Sequence, residues 1–341
     1  MYRNHPVFSA IRTLVIGLAI SFLPKLSTAQ LNPASPPIAD PHDTRFASVK
    51  EDWTTPALGT SSLKAVPPIV GYINEYSDRT VELLRAQWRF GDPLDLYVVK
   101  PHGIKKSPVI IYLYGYPADT DTFKNEAWQR AVTKDGFAAV GFVSALTGHR
   151  YHDRPLKEWF LSDLQECLAV SAHDVQMVLN YLATRDDLDM DHVGMLAEGS
   201  GASIAILASA VDPRIRVLDA VDPWGDWPGW MASSPFVPAE ERPDYLKPEY
   251  LKKVSALDPV DWLSKVQAKA FRLQDAVFEP NTPKACKEKL RAAVPAPTTV
   301  VVYNTLKEYQ SAINGNKEMD WLRGDLRALP QQHHDVGSLD H

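Results

Sequence analysis

The stretch that decides the fold runs from Val193 to Val217 and reads VGMLAEGSGASIAILASAVDPRIRV. Its apolar first residues predict a buried strand, and the small residues around Gly199 predict a tight turn. The alanine-rich residues that follow predict a helix, after which a second strand begins. A strand, a helix and another strand in this order require a crossover, so the two strands are expected to lie parallel in one sheet.

Eight segments of the chain read as strands, and several are near-continuous apolar runs, as expected for strands buried on both faces. They are residues 81–90, 94–101, 109–115, 137–143, 192–198, 217–224, 270–275 and 299–304. From the third strand onward, helix-length segments separate them, and these serve as crossovers. The sequence therefore predicts an α/β protein with an eight-stranded, mostly parallel sheet flanked by helices.

The turn after the fifth of these strands resembles the nucleophile elbow of the alpha/beta-hydrolase superfamily, in its dienelactone-hydrolase and prolyl-peptidase-like branch. That elbow has the pattern small-x-nucleophile-x-small. Here Ala197 and Gly201 take the small positions, so Gly199 takes the nucleophile position and Ser200 comes one residue later. The resemblance implies an alpha/beta-hydrolase fold over residues 71–328, with a degenerate elbow.

Ser200 is the only hydroxyl-bearing residue near the turn. If it attacks a substrate, the turn must be remodelled, because Glu198 would then occupy a position that suits a small residue. The resemblance implies an oxyanion hole made by the amide of Tyr116, in the loop that begins at Tyr114, and by the amide after the nucleophile, Ser200 or Gly201. The alternative role for Ser200 is a helix cap, with Glu198 as a general base acting on water.

The base and the acid of a triad are harder to place. The resemblance puts a histidine after the eighth strand, but no histidine occurs from Val193 to Gln332. His149 follows the fourth strand, at the carboxyl edge where parallel sheets bind ligands, so it is the candidate base. Asp275 and Asp226, after the seventh and sixth strands, are the candidate acids. For each of these residues a purely structural hydrogen bond or ion pair is the alternative.

A proline-rich segment, residues 223–262, separates the sixth and seventh strands, and the resemblance implies a cap over the site at this place. It contains Trp224, Trp227, Trp230 and Trp262. Together with Tyr114 and Tyr116, such aromatic side chains can wall a pocket for an apolar or aromatic small molecule. The alternative is that the tryptophans only hold the segment against the core.

The first 29 residues predict export, and the segments 30–70 and 329–341 have the composition of loosely structured chain. Residues 1–29 combine Arg3 and Arg12 with an apolar run and small residues before Gln30, which is typical of a signal peptide cleaved near Ala29. The apolar run is shorter than the roughly 20 residues of a spanning helix, so no membrane span is expected after cleavage. Residues 30–70 read as a Pro/Ser/Thr-rich extension, and residues 329–341 as a disordered tail.

Composition excludes some partners and cofactors. The formal charge of −6 becomes −9 when Arg3, Arg12 and Lys25 leave with the signal, which argues against nucleic acid as a partner. Cys167 lies on an apolar helical stripe and Cys286 in a polar segment, which favours two thiols over a disulfide. No spacing of ligands predicts a metal site, and no cofactor is expected.

Two functions are consistent with these residues. The first is an exported hydrolase of carboxylic ester or peptide bonds that uses Ser200 as a displaced nucleophile, as the resemblance implies. The second is a catalytically inactive protein of the same fold that binds a small molecule or a partner in the retained pocket. A third possibility is acid–base chemistry through Glu198, His149 or the tyrosines, without a covalent step.

Overall fold

The computed structural model describes residues 49–89, 91–146, 160–314 and 317–330. The predicted signal peptide, the predicted base His149 and residues 331–341 of the predicted tail lie outside the described residues. So do residues 30–48 of the predicted extension.

Within the described residues, nine strands form one sheet. They are β1 Ile69–Glu75, β2 Arg79–Ala86, β3 Leu94–Pro101, β4 Ser107–Leu113, β5 Ala138–Gly141, β6 Leu188–Glu198, β7 Val217–Val221, β8 Ala270–Ala276 and β9 Thr299–Tyr303. Their order across the sheet is β1-β2-β3-β5-β4-β6-β7-β8-β9. The pairs β1/β2, β2/β3 and β3/β5 are antiparallel, and the pairs from β5 through β4 and β6 to β9 are parallel.

The prediction of a mostly parallel sheet flanked by helices is confirmed, but the predicted number of eight strands is one too few. The additional strand is β1, which begins within the predicted extension. Most of its residues are exposed, and Ile69 keeps 66 % of its surface accessible. An edge strand of this kind buries neither face, so its sequence carries no alternation of apolar and polar residues.

Eleven α-helices lie in the described residues. They are α1 Asp121–Lys124, α2 Glu126–Thr133, α3 Leu164–Leu182, α4 Ser200–Val211, α5 Trp227–Ser233, α6 Arg242–Tyr245, α7 Pro248–Ser255, α8 Pro259–Trp262, α9 Lys284–Ala293, α10 Leu306–Ile313 and α11 Asp320–Ala328. Short 3₁₀ turns lie at Leu58–Thr60, Lys134–Gly136, Leu263–Lys265 and Lys317–Met319.

The sheet separates two apolar layers, and β6 shows how the sequence builds both. Val193, Met195 and Ala197 pack in the layer that contains α3 and α4, whereas Leu196 packs in the layer that contains α2 and α11. Successive side chains of a strand point to opposite faces, so this alternation is expected. Ala197 therefore faces α4, and the next residue, Glu198, is directed to the opposite layer.

Residues 49–63, part of the predicted extension, pack against α3. Glu51 forms an ion pair with Arg89, and its Oε1 lies 2.8 Å from Nδ1 of the buried His173. Further along the segment, the backbone N–H of Leu58 donates to the side-chain oxygen of Gln176 at 3.0 Å. These contacts hold this part of the chain on the domain.

The segment from 223 to 262 folds into the short helices α5 to α8. The carboxylate of Asp258 accepts hydrogen bonds from the backbone N–H groups of Asp226 and Trp227, and the Trp227 indole donates to the carbonyl of Leu257 at 3.1 Å. Trp227 and Trp230 are almost fully buried. These two tryptophans therefore hold the segment against the core, and the role of the segment as a cap stays a prediction.

Candidate functional site

Gly199 forms the turn between β6 and α4. Its backbone angles are φ 53° and ψ −123°, a conformation that glycine adopts without a steric cost. Its N–H donates to the carbonyl of Val221 at 2.9 Å, and its carbonyl accepts from the N–H of Ser203 at 3.2 Å. The turn is thus fixed at one side to β7 and at the other to the first turn of α4.

Small residues surround Gly199, and the packing shows why. A Cβ on Gly201 would lie only 2.2 Å from the carbonyl oxygen of Leu113, and a Cβ on Gly115 would lie 2.7 Å from the carbonyl oxygen of Glu198. Ala197 is fully buried. The helix, the end of β4 and the loop that follows it therefore approach one another too closely for larger side chains at these positions.

Position 199 itself has room for a side chain. A Cβ there would meet only Nε1 of Trp224 at 3.5 Å and Cα of Gly115 at 3.7 Å, which are ordinary contact distances. The strain of a side chain at this position would come from the backbone angles alone. A small side chain at position 199 would therefore fit among its neighbours, and the chain has none there.

Ser200 is the first residue of α4 and is 1 % exposed. Its Oγ accepts a hydrogen bond from the backbone N–H of Tyr116 at 2.9 Å, across the gap between the helix and the loop after β4. The structure therefore gives Ser200 a third role besides the two predicted ones, since it ties the loop to the helix. The same bond occupies the Tyr116 amide that the resemblance assigns to an oxyanion hole.

None of the histidines among the described residues contacts Ser200. His102 lies beside Thr80 and Glu75, His173 beside Glu51, and His192 beside Asp189 and the carbonyl of Leu329. The candidate base His149 lies outside the described residues, so its distance from Ser200 stays open.

The candidate acid Asp275 belongs to a buried ionic cluster at the carboxyl ends of β7 and β8. It pairs with Arg291 and lies 3.7 Å from Nζ of Lys287, and this lysine also donates to Asp222 and to the carbonyl of Ala276. Burial raises the pKa of Asp222 to about 6, although Lys287 opposes the shift. Lys287 and Arg291 stand four residues apart on one face of α9, a spacing that the sequence displays but that the sequence reasoning did not use.

The other candidate acid, Asp226, precedes α5 and pairs with Lys289 at 2.8 Å. None of the hydrogen bonds of the described residues links Asp226 or Asp275 to Ser200. The structure therefore brings Tyr116, Gly199, Ser200 and Gly201 together, and it places the two acids in ion pairs with α9.

Glu198 is a largely buried carboxyl without an ion-pair partner among the described residues. Burial raises its pKa to about 7, and the carboxylates of Glu318 and Asp219 add to the shift. Burial likewise raises the pKa of Tyr114, whose hydroxyl accepts from the Trp128 indole at 2.7 Å. Tyr114 is therefore directed to α2, away from the aromatic side chains of Tyr116 and Trp224.

We expect the raised pKa of Glu198 to make the protein less stable as pH rises. The folded state holds the proton more tightly than the unfolded state between about pH 4.5 and pH 7, so this stabilisation is complete below that range and is lost as pH rises through it. Glutamine does not titrate, so Glu198→Gln does not lose stability in this way as pH rises. Between about pH 4.5 and pH 8, the unfolding free energy of Glu198→Gln should rise by about 3 kcal/mol relative to that of the wild type, measured by urea denaturation. Parallel pH profiles of the two proteins would contradict the assignment.

Aromatic side chains form a cluster beside Gly199, composed of Tyr116, Phe160, Trp224, Trp230 and Phe236. The rings of Trp224 and Trp230 are stacked with centroids 4.9 Å apart, and Tyr116 lies 4.6 Å from Phe160. Trp224 is only 2 % exposed, whereas Tyr116 is partly exposed. Tyr116 and Trp224 each contact the ring of Phe236, so they belong to one aromatic cluster.

The described part of the chain was compared with the requirements of a metal site, a membrane-spanning helix and a disulfide. Within residues 49–89, 91–146, 160–314 and 317–330, histidine, cysteine and acidic side chains form no group that could hold a metal ion. None of the described helices is long and apolar enough to cross a membrane. Cys167 and Cys286 are both buried and are not bonded to each other.

Solved structures of other proteins share the architecture of this chain. No family model matches the chain, and no curated protein matches it either. Among solved structures, acetyl xylan esterase 1 from Thermoanaerobacterium sp. JW/SL YS485 superposes with a TM-score of 0.59 at 14 % identity, over 75 % of this chain and 89 % of that one. The acetyl xylan esterase from Paenibacillus sp. R4 gives 0.60 at 16 % identity, over 76 % and 89 %.

A third structure, a 2,6-dihydroxy-pseudo-oxynicotine hydrolase, gives a TM-score of 0.54 at 21 % identity, over 73 % of this chain and 68 % of that one. At these identities the likeness establishes the architecture and leaves the reaction open. The strand order, the turn at Gly199 and these superpositions agree, and the chain has the alpha/beta-hydrolase fold.

Proposed function

We propose that this chain is a ligand-binding protein of the alpha/beta-hydrolase fold that does not use a serine nucleophile. The observation that carries the proposal is the pair of neighbouring residues at the turn. Gly199 has the turn conformation but no side chain, and the hydroxyl of Ser200 is buried and hydrogen-bonded to the Tyr116 amide. A nucleophile must be accessible to the substrate, with a base in reach of its proton.

Hydrolysis through Ser200 is the alternative that the likeness to esterases favours. It would require the Ser200 hydroxyl to become accessible from a position that is 1 % exposed. It would also require a base, and the described histidines are bonded elsewhere. The displaced nucleophile therefore needs a rearranged hydroxyl and a base that none of the described histidines supplies.

A fluorophosphonate probe tests the proposal, because it forms a covalent adduct only with an activated hydroxyl. The purified protein and Ser200→Ala are treated in parallel, and their intact masses are read. We expect no adduct on either protein, apart from slow labelling that is equal in both. An adduct that forms on the wild type and is absent from Ser200→Ala would overturn the proposal in favour of the hydrolase.

We further propose that the protein is exported, with cleavage of the signal near Ala29. The support is the sequence of residues 1–29, with its basic start, apolar run and small residues before Gln30. Sequencing the amino terminus of the mature protein tests this proposal, and a mature chain that still begins at residue 1 would contradict it.

A further inference from the structure

Residues 50–62 form a loop that is closed at its base, which we call the clasp loop. The backbone N–H of Ser62 donates to the carbonyl of Lys50 at 3.1 Å, and the N–H of Lys50 donates to Oγ of Ser62 at 2.7 Å. The loop lies against α3, where the side-chain amide of Gln176 donates to the carbonyl of Pro56 at 2.7 Å. The clasp loop is therefore held to the domain through α3.

His173 of α3 also holds this loop, and both of its ring nitrogens face acceptors. Nδ1 lies 2.8 Å from Oε1 of Glu51, and Nε2 lies 3.1 Å from the carbonyl oxygen of Thr55. The histidine is 0 % exposed, so water does not replace either contact. Carboxylate and carbonyl oxygens accept hydrogen bonds and do not donate them. Each ring nitrogen must therefore carry a proton if both contacts are hydrogen bonds.

A neutral imidazole cannot make both bonds, because it has one N–H and one lone pair. With the proton on Nδ1, the lone pair of Nε2 faces the carbonyl oxygen of Thr55. With the proton on Nε2, the lone pair of Nδ1 faces the carboxylate of Glu51. Only the doubly protonated imidazolium of His173 bonds to the clasp loop at both points.

Arg89 keeps the proton on the ring of His173 and off Glu51, because it binds the same carboxylate. Nη2 of Arg89 donates to Oε1 of Glu51 at 2.7 Å, and Nε of Arg89 donates to the other oxygen. Burial opposes the charge of Glu51, but the hydrogen bonds from Arg89 and His173 lower its pKa to about 2. Glu51 is therefore an anion at neutral pH, and an anion at this distance favours an imidazolium.

The other charged groups around His173 also suit a positive ring. In the chain after β2, Asp92 lies 3.8 Å from Nη1 of Arg89, and on α3 Asp174 lies 2.5 Å from the same nitrogen. The clasp loop adds Asp52, an exposed carboxylate close enough to interact with the charge of the ring. Three buried carboxylates thus share one guanidinium, and an imidazolium supplies a second cation to them.

We propose that His173 is an imidazolium that holds residues 50–62 on α3, and that the loss of its proton at alkaline pH loosens this loop. As pH rises, the ring keeps one N–H and loses one of its two bonds to the loop. The contact is therefore complete at about pH 6 and weaker at about pH 9. This pH-sensitive clasp is separate from the turn at Gly199 and does not rest on the proposed function.

Nuclear magnetic resonance of ¹⁵N-labelled histidine side chains tests the protonation state. The chain has ten histidines, and the signals missing from His173→Gln belong to His173. An exposed imidazole is mostly neutral at about pH 7.5. We expect His173 to carry a proton on both nitrogens at this pH and to lose one of them by about pH 10. A His173 ring with a single N–H at about pH 7.5 would overturn the inference.

Hydrogen exchange of the clasp loop tests the consequence. Exchange rates are divided by those of an unstructured peptide at the same pH, which removes the chemical effect of pH. The amide of Leu58, which donates to Gln176 at 3.0 Å, should lose protection about tenfold between about pH 6 and about pH 9. The amides of α4 should keep theirs. In His173→Gln the loop should be weakly protected at both pH values, because glutamine does not titrate.

Two neighbouring acids provide matched variants. Glu51→Gln removes the carboxylate that contacts the ring, so His173 should lose its second proton at a pH lower by about one unit or more, a tenfold lower proton affinity. Asp52→Asn removes the same charge from a carboxylate that accepts from Thr54, and His173 should titrate close to its wild-type pH.

The inference is also overturned if the corrected protection of the clasp loop is the same at about pH 6 and about pH 9. Equal titration of His173 in Glu51→Gln and Asp52→Asn would overturn it as well, because the contact with Glu51 would then have no effect on the ring. None of these results bears on the absence of a serine nucleophile.

Discussion

Replacement of Gly201 by alanine is expected to destabilise the protein by about 3 kcal/mol or more, because overpacking at a rigid contact forces the backbone to move. The new Cβ would lie 2.2 Å from the carbonyl oxygen of Leu113 and 2.9 Å from its carbon. Both are backbone atoms of β4 in the middle of the sheet, so neither can rotate away. The helix α4 would have to move off the sheet, and the turn at Gly199 would move with it.

Urea denaturation of Gly201→Ala checks this expectation, with Gly324→Ala as the matched control. Gly324 lies within α11, and a Cβ there meets nothing within 4 Å. Since alanine is the better helix former, the control should be neutral or gain up to about 1 kcal/mol. A Gly201→Ala protein as stable as the control would show that the elbow is not packed as described.

Replacement of Lys287 by methionine is expected to cost about 3–5 kcal/mol at neutral pH, because it leaves the buried carboxylate of Asp222 without its cation. Lys287 is 3 % exposed and donates to Asp222 and to the carbonyl of Ala276, with Asp275 at 3.7 Å. The cost should become smaller toward about pH 5. Burial already raises the pKa of Asp222 to about 6, and loss of the cation raises it further, so the carboxyl takes up a proton and loses its charge.

Thermal and urea unfolding at two pH values check this result. Lys289→Met on the same helix is the control, since the side chain of Lys289 is 59 % exposed although its partner Asp226 is buried. Because water solvates the exposed ammonium, we expect this substitution to cost less than the loss of the buried Lys287, about 1 kcal/mol. If Lys287→Met is no less stable than Lys289→Met, the ionic cluster does not hold β7 and β8 to α9.

The sequence predicts the buried strands well and the edge strand β1 poorly. The parallel strands β4 to β8 are largely buried and leave apolar runs, so they can be recognised without a structure. The edge strand β1 buries neither face and has no such pattern. The small residues Ala197, Gly199 and Gly201 predict a tight turn. The structure shows why residue 201 must be small, because the backbone of Leu113 lies against it.

The contacts that give each site residue its role come from segments far apart in the chain. The bond between the Tyr116 amide and Ser200 joins positions 84 residues apart, and the bond between Lys287 and Asp222 joins positions 65 apart. Sequence reasoning can name such residues but cannot say which atom faces which. The orientation of the Trp224 indole depends on ring packing with Trp230 and Phe236, which no periodicity records.

The most direct test of the account is the intact mass of the protein after treatment with a fluorophosphonate, compared with that of Ser200→Ala. We expect the same mass for treated and untreated wild type, because Gly199 has no side chain and the Ser200 hydroxyl is buried against the Tyr116 amide. A single adduct on the wild type that is lost in Ser200→Ala would contradict it and would make this chain a serine hydrolase with a displaced nucleophile.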